Sequence, residues 1–390
     1  MNIANTYCEN INSKARICLF SQRNIGNMIS RCGHFEFEDV ICQVDNVDLI
    51  SPEPYEFLKS EVGSIDTRNS PLNIWSKVAN RVVRYTPVSS INPGIRKINL
   101  KKNYELFLAF FQVPNDIKSI NAIDGWRERC RVSACWVDDL WKGDLHLWKK
   151  HLKMLSNFDY IFLNYYQSVQ YAQEIVGRSC MYMAPGIDMI RFCPYPDPPD
   201  RVIDIYNMGR KSQIIHKELL KMSEITNTLY LFDTIKRMET ENPKEHRDLF
   251  ANLVKRSRYF LVNIAKVGRD SETKGQVEVG FRFFEGAGAG TIMIGEAPDT
   301  ENFKMHFDWP DVVIKLDKDG NNLGEIFRAL DADPTRQKTI RKNNIVQSLL
   351  RHDWSYRWKD ILKHVDLKPM SALTARENKL KMLAKIAEKQ

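Results

Sequence analysis

The sequence predicts an α/β protein made of two domains, each built on a parallel sheet. Three observations carry this: short apolar runs alternate with longer mixed segments, the alternation is interrupted once by prolines near the middle, and 390 residues exceed one ordinary domain. The runs rich in branched and aromatic residues are Ile17–Phe20, Val40–Gln43, Leu106–Phe111, Val132–Val137, Tyr160–Leu163 and Cys180–Met183. After Pro194, Pro196, Pro198 and Pro199 the alternation resumes with Val202–Met208, Thr228–Phe232, Tyr259–Asn263, Thr291–Ile294 and Val312–Ile314. Each is short enough for a strand. Helical spacing fills several gaps, at Leu145–Leu155, Ser168–Val176, Gln213–Met222 and Asn322–Leu330. Strands alternating with helices imply parallel sheets with crossover connections. Proline-rich stretches suit linkers, so the division is expected near residue 197.

Composition narrows the function classes. Hydrophobic residues make up 43% and charged residues 27%, which excludes a disordered or collagen-like chain. The longest apolar run, Leu106 to Val113, stops at Pro114 and is too short to span a membrane. Met1 to Ala15 is polar and lacks the apolar core of a secretory signal, so a cytoplasmic protein is expected. The eight cysteines contain no C-x-x-C pair and all lie in the first half, as buried thiols would allow. Fifty-seven basic against 49 acidic residues give a net charge of +8. That excess suits a phosphorylated small molecule, a nucleic acid or an anionic membrane surface. Residues 60–103 have a basic cast from Arg81, Arg84, Arg96, Lys97, Lys101 and Lys102. Ser371 to Gln390 reads as a basic helix with Leu373, Leu380, Leu383 and Ile386 on one face.

Two segments carry chemistry. In Gly280 to Ile294, Arg282 and Glu285 lie three apart, ahead of the small residues Gly286 to Gly290. Small residues at a helix start let an anion approach the free N–H groups, and Gly286 is a candidate contact. An arginine can hold phosphate through two parallel hydrogen bonds, and a glutamate can accept from vicinal hydroxyls. The same run also suits close packing of a helix on a sheet. The second segment, Asp204 to Ser212, ends a strand at Gly209 and places Arg210 and Lys211 at the next helix start. It has neither G-x-G-x-x-G nor G-x-x-x-x-G-K-[ST], so a dinucleotide fingerprint and a P-loop are not supported. Asp138 and Asp139 stand at a strand's carboxyl end, where open α/β sheets bind ligands, although either could cap the following helix. His146 and His151 are five apart, off the spacing of a helical metal pair, and no metal site is expected.

Pro185 to Pro194 resembles the P-x-G-V-D-x-x-x-F-x-P segment of retaining GT-B glycosyltransferases of the family-four type. Gly209-Arg210 is similar to their strand–turn arginine, and Glu285 to Ile294 to their E-A-M-A-x-G-x-P-V-V unit. Asp333 to Gln337 and His352 to Ile361 look like their closing D-P-x-x-R and tryptophan-containing blocks. The blocks follow the family's order, and Arg282 to Glu285 looks closest to a CgeB-like branch. The family's paired glutamate would fall on Val277, with Glu278 one residue late, and its lysine on Ile215. Lys211, Lys217, Lys274 or Arg282 is left to supply that charge, with Arg282 favoured.

The resemblance implies a GT-B fold of two Rossmann-like domains whose sheets face an interdomain cleft. Residues 1–196 would bind the acceptor, 197–365 would bind a nucleotide-diphosphate sugar of UDP or GDP, and 366–390 would be a basic tail. It implies a metal-independent, retaining transfer to a hydroxyl, with no cofactor. Arg210 and Arg282 would stabilise the diphosphate, Glu285 would hold the ribose, and Asp138 and Asp139 would face the acceptor. Gly209, Lys211, Lys274, Glu278 and Gly286 would complete the donor site. The alternatives are a nucleotide-sugar epimerase on the same fold, or a non-catalytic nucleotide-sugar- or nucleic-acid-binding protein. A DNA-modifying transferase is one form of the main reading, and the basic segments leave DNA or an anionic membrane open as contacts.

Overall fold

The computed structural model describes residues 14–26, 28–55, 74, 78, 92, 94–233 and 240–390. Arg81 and Arg84 lie outside the described residues. The chain divides into two compact units. One comprises 1–184 with 361–368, the other 185–360 with 369–390.

The first unit holds a six-stranded parallel sheet of order β2-β1-β4-β6-β7-β8. Its strands are β1 (Ile17–Phe20), β2 (Val47–Ile50), β4 (Tyr104–Phe111), β6 (Cys130–Val137), β7 (Tyr160–Leu163) and β8 (Met181–Tyr182). A separate parallel pair joins β3 (Ile98–Asn99) to β5 (Ile123–Asp124). In β4 every residue but Glu105 is buried, as expected where helices cover both faces of a parallel sheet. One expected strand is absent: Val40–Gln43 lies inside the helix Cys32–Val44. Phe37, Val40, Ile41 and Val44 are spaced i, i+3, i+4, i+7 and all buried, so a four-residue apolar run was part of a helical stripe. The true neighbour of β1 is β2, where buried Asp48 accepts a hydrogen bond from the Tyr104 hydroxyl at 2.9 Å.

The second unit holds a five-stranded parallel sheet of order β10-β9-β11-β12-β13. These are β9 (Ile203–Asn207), β10 (Tyr230–Phe232), β11 (Ser257–Val262), β12 (Ile292–Gly295) and β13 (Val313–Lys315). Each overlaps a run expected from the sequence. Its core gathers Ile205, Leu219, Tyr259, Leu261, Ile292, Ile294 and Leu330.

The observed division falls at 184/185, ahead of the proline cluster expected to mark it. The reason is a buried ion cluster. Arg376 donates through Nη2 to Asp188 at 2.6 Å and to Asp353 at 2.7 Å, and through Nε to Asp353 at 2.8 Å. Ile187 pairs with Asp353 in a parallel bridge, and Arg357 donates to the Pro185 carbonyl at 2.8 Å. Residues 185–193 are thereby fastened to the second unit. Arg376, expected among the basic residues of a terminal helix, is buried; burial opposes its charge, but Asp353 and Asp188 hold the guanidinium protonated. The helix Ser371–Lys389 buries Leu373, Leu380, Leu383, Ala384 and Ala387 and exposes Lys379, Lys381, Lys385 and Lys389.

Trp354 and Trp358 of the helix Trp354–His364 are fully buried. The chain then joins the first unit over Ile361–Lys368. There Arg131 donates to the Val365 carbonyl at 3.0 Å and Arg16 to the Lys368 carbonyl at 2.8 Å. Among the described residues no helix is long and apolar enough to cross a membrane.

Replacing Arg376 by methionine leaves two buried carboxylates facing each other. We expect the second unit to lose about 3–5 kcal/mol of stability, because one partner of a buried ion pair is removed. Calorimetric unfolding at pH 7 should show this as an earlier transition. Lys385→Ala, on the exposed face of the same helix, should stay within about 0.5 kcal/mol of wild type.

Candidate donor site

The site grows from the carboxyl edge of the second sheet. Strand β9 ends at Asn207, and Gly209 then turns the chain with φ +89°, where a side chain is strained. Ser212 caps the helix Gln213–Ile225 by accepting from the Ile215 N–H. The Asp233 carboxylate fixes this turn, accepting from the Gly209 N–H at 3.0 Å and from Lys211 Nζ at 2.8 Å. Lys211 also donates to the Asp233 carbonyl at 2.8 Å. Its charge is therefore engaged within the turn in this structure. Arg210 is exposed, and among the described residues it has no ion-pair partner.

Arg282 reaches the same turn from the helix Phe281–Gly288. Its Nε donates to the Met208 carbonyl at 3.3 Å, Nη1 donates to Glu285, and the guanidinium lies 4.7 Å from the Phe250 ring centre. Among the described residues nothing accepts from Nη2, which faces Gly209, and the side chain is 29% exposed. The arginine is thus held on three sides and open on the fourth.

Glu285 is the group that holds it. The carboxylate is 1% exposed; one oxygen accepts from Arg282, the other from Arg247 on the helix Pro243–Lys255. Burial pushes the Glu285 carboxyl up, but the charges of Arg282 and Arg247 outweigh it and keep it below its ordinary value. With an arginine on each oxygen, Glu285 orients Arg282 in this structure and does not present its carboxylate outward. The ribose contact expected of Glu285 stays an expectation beside this positioning role. Arg247 was not foreseen, yet the sequence carried a signal: Arg247, Phe250, Ala251 and Val254 fall on one buried stripe.

The glycines after Glu285 end their helix and do not start one, since the helix begins at Phe281 with Gly280 as its cap. A Cβ at Gly286 would lie 2.8 Å from the Met293 sulfur, and one at Gly288 2.4 Å from Ile187 Cδ1. Close packing therefore requires glycine at 286. The loop entering this helix carries the remaining candidates. Lys274 is exposed and has left-handed backbone, φ 51°, at the end of Asp270–Thr273. Glu278 is 1% exposed and accepts from Gln276 Nε2 at 2.7 Å, so it is not presented to a ligand.

In the first unit, Asp138 and Asp139 do follow β6, but neither caps a helix; the next turn, Lys142–Trp148, has Trp141 at its cap. Asp138 is buried, with one oxygen accepting from Asn164 and the other 2.9 Å from His34 Nε2. Asp139 accepts from the Trp141 indole. His34 and Asn164 were not foreseen; Asn164 directly follows β7, a position the strand reading already exposed. Ser21, in the loop after β1, donates to buried Glu38 at 2.7 Å. Among the described residues no group of three or more His, Cys, Asp and Glu side chains could hold a metal ion.

Residues 236–363 match the family model described as glycosyl transferase-like. No curated protein matches the chain. Among solved structures, the chain is similar to an alpha-glucosyltransferase in complex with UDP and a 13-mer DNA containing an HMU base. The identity is 13% and the TM-score 0.55, over 90% of this chain and 99% of that one. A second similar structure is an alpha-glucosyltransferase with UDP-glucose and DNA containing an abasic site, at 13% identity and TM-score 0.53 over the same shares. The fold is therefore that of the GT-B class. The matched residues 236–363 lie almost wholly in the second unit, and Arg247, Arg282 and Glu285 all fall within them.

Two expected outcomes follow from Glu285. Glu285→Gln should cost about 3–5 kcal/mol, because buried Arg247 and partly buried Arg282 lose their shared counter-charge. A carboxyl whose folded pKa is depressed stabilises the fold above its unfolded pKa, and that contribution is lost as pH falls through the folded pKa. The stability gap between wild type and Glu285→Gln should therefore be full at pH 6–7 and narrow in acid, below the ordinary glutamate pKa of about 4.3. Denaturant titrations across that range read it.

Proposed function

We propose that the protein transfers a glycosyl group from a nucleotide-diphosphate sugar to an acceptor hydroxyl. The carrying observation is the Gly209 turn. An exposed Arg210, a clamped Arg282 with an open Nη2 and the start of the helix Gln213–Ile225 converge there, and among the described residues no carboxylate pairs with Arg210. Backbone N–H groups at a helix start and two guanidiniums suit a diphosphate.

In the proposed step, the bond from the anomeric carbon to the acceptor oxygen forms as the bond to the diphosphate breaks. The acceptor proton passes to the departing diphosphate oxygen. Charge develops on that leaving group, and fixed donors that need no rearrangement lower the barrier most. Glu285, Phe250 and the Met208 carbonyl supply that fixity to Arg282. We assign retention of configuration to this transfer, on the family-four resemblance. Asp138, held by Asn164 and His34, is proposed for the acceptor side. DNA is the first acceptor class to test, supported by the net charge of +8 and by the DNA in the similar structures.

A thermal-shift panel of UDP, GDP and their sugars should reveal one stabilising nucleotide, since a ligand that binds only the folded state raises apparent stability. Nucleoside diphosphate released only when acceptor is added supports transfer; a changed sugar without release supports epimerisation. Arg282→Lys should not restore activity, because an ammonium lacks the planar fork and cannot reach Glu285, Met208 and a phosphate together. Recovery of most of the rate with lysine would shift the leading role to Arg210. If DNA is the acceptor, its affinity should fall steeply with salt.

A further inference from the structure

The helix Pro243–Lys255 supplies two groups to the centre just described: Arg247, which binds Glu285, and Phe250, which lies beneath the Arg282 guanidinium. His246 is four residues before Phe250 and so shares its face, one turn nearer the helix start. That start follows strand β10, at the sheet edge from which the Gly209 turn also emerges. His246 is half-buried, and its Nδ1 is shielded from solvent with no hydrogen-bond partner among the described residues. A ring nitrogen shielded in this way, with no acceptor, is a poor place for a proton. A neutral ring with its proton on Nε2 would present Nε2–H as a donor to a ligand.

We propose that His246 is a third contact for the nucleoside diphosphate held by Arg282, and that it takes up a proton when the diphosphate binds. This rests on the donor reading of the Gly209 turn. Among the described residues, the charged groups that act on His246 are Arg247 on its own helix and Arg282 and Glu285 on the helix Phe281–Gly288. Burial and the two arginines hold the imidazole below its usual pKa, and Glu285 opposes them. The local balance is two positive charges against one, which disfavours an imidazolium. A diphosphate reverses that sign, and protonation of the ring then adds a charge-assisted hydrogen bond. His246 gives the ligand-free site a way to avoid a third cation while supplying one to the bound diphosphate.

The test is isothermal titration of the full chain with UDP and GDP at pH 6.5 and 7.5, each in two buffers of different ionisation enthalpy. Wild type should take up part of a proton per nucleotide bound, and more at pH 7.5 than at 6.5 if the bound ring stays protonated. His246→Asn should abolish that uptake and weaken binding by about three- to tenfold, with unchanged thermal unfolding of the ligand-free protein. A His246→Gln variant gives the same readout if the asparagine variant is unstable. Unchanged affinity and proton uptake in folded variants would overturn the inference while leaving the donor site intact. Absence of any nucleotide binding by wild type would overturn the donor reading and this inference together.

Discussion

A single buried carboxylate sets the geometry of the second unit's site. Glu285 could not remain ionised at 1% exposure without cations on both oxygens, since burial alone would favour its neutral form. Arg247 and Arg282 satisfy it from two different helices. Once Arg282 is drawn to Glu285, its remaining nitrogens can only meet the Met208 carbonyl and the space beside Gly209. Three chain segments are thereby fixed by one charge. Two guanidiniums against one carboxylate also leave the centre one positive charge in excess, to which exposed Arg210 adds another. The constraint that stabilises the centre is the one that leaves it attractive to an anion.

The glycines that follow serve this constraint indirectly. A helix that carries Glu285 inward must approach β11, β12 and the 185–193 segment closely. Gly286 against Phe260 and Met293, and Gly288 against Ile187 and Met189, leave no room for a methyl group. The 185–193 segment is in turn held by Arg376 between Asp188 and Asp353. The two ion clusters thus anchor opposite ends of one contact. One binds the helix to the site, the other binds the strap on which the helix packs.

Much of the sheet architecture was legible in the sequence because strands of parallel sheets are buried on both faces and read as continuous apolar runs. Tyr259–Asn263 and Thr291–Ile294 mark β11 and β12 to within two residues. Val40–Gln43 failed for the converse reason, since four apolar residues cannot distinguish a strand from one stripe of a helix. The division at 184/185 lies ahead of the boundary expected at the prolines, which mark where a chain is stiff. They do not mark which side it packs on, and Asp188 with Arg376 decides that from 188 positions away.

The candidate site was legible by residue type and illegible by partner. Arg210, Lys211 and Arg282 look alike as cations near a turn, yet their environments differ completely. Lys211 is engaged with Asp233, whose position 22 residues on gives no local pattern. Arg282 is engaged with Glu285 three residues on, a spacing that the helix makes a contact, so that pair could be read directly. Arg247 bridges 38 residues to the same carboxylate and left only a periodicity clue. A long flexible cation gains catalytic use when its position is fixed before the ligand arrives, because donors that must reorganise return part of their benefit. Arg282 meets that condition through contacts with Glu285, Met208 and Phe250, while Arg210 does not among the described residues. In the proposed transfer, stabilisation of the departing diphosphate falls chiefly to Arg282, with Arg210 contributing attraction and long-range charge.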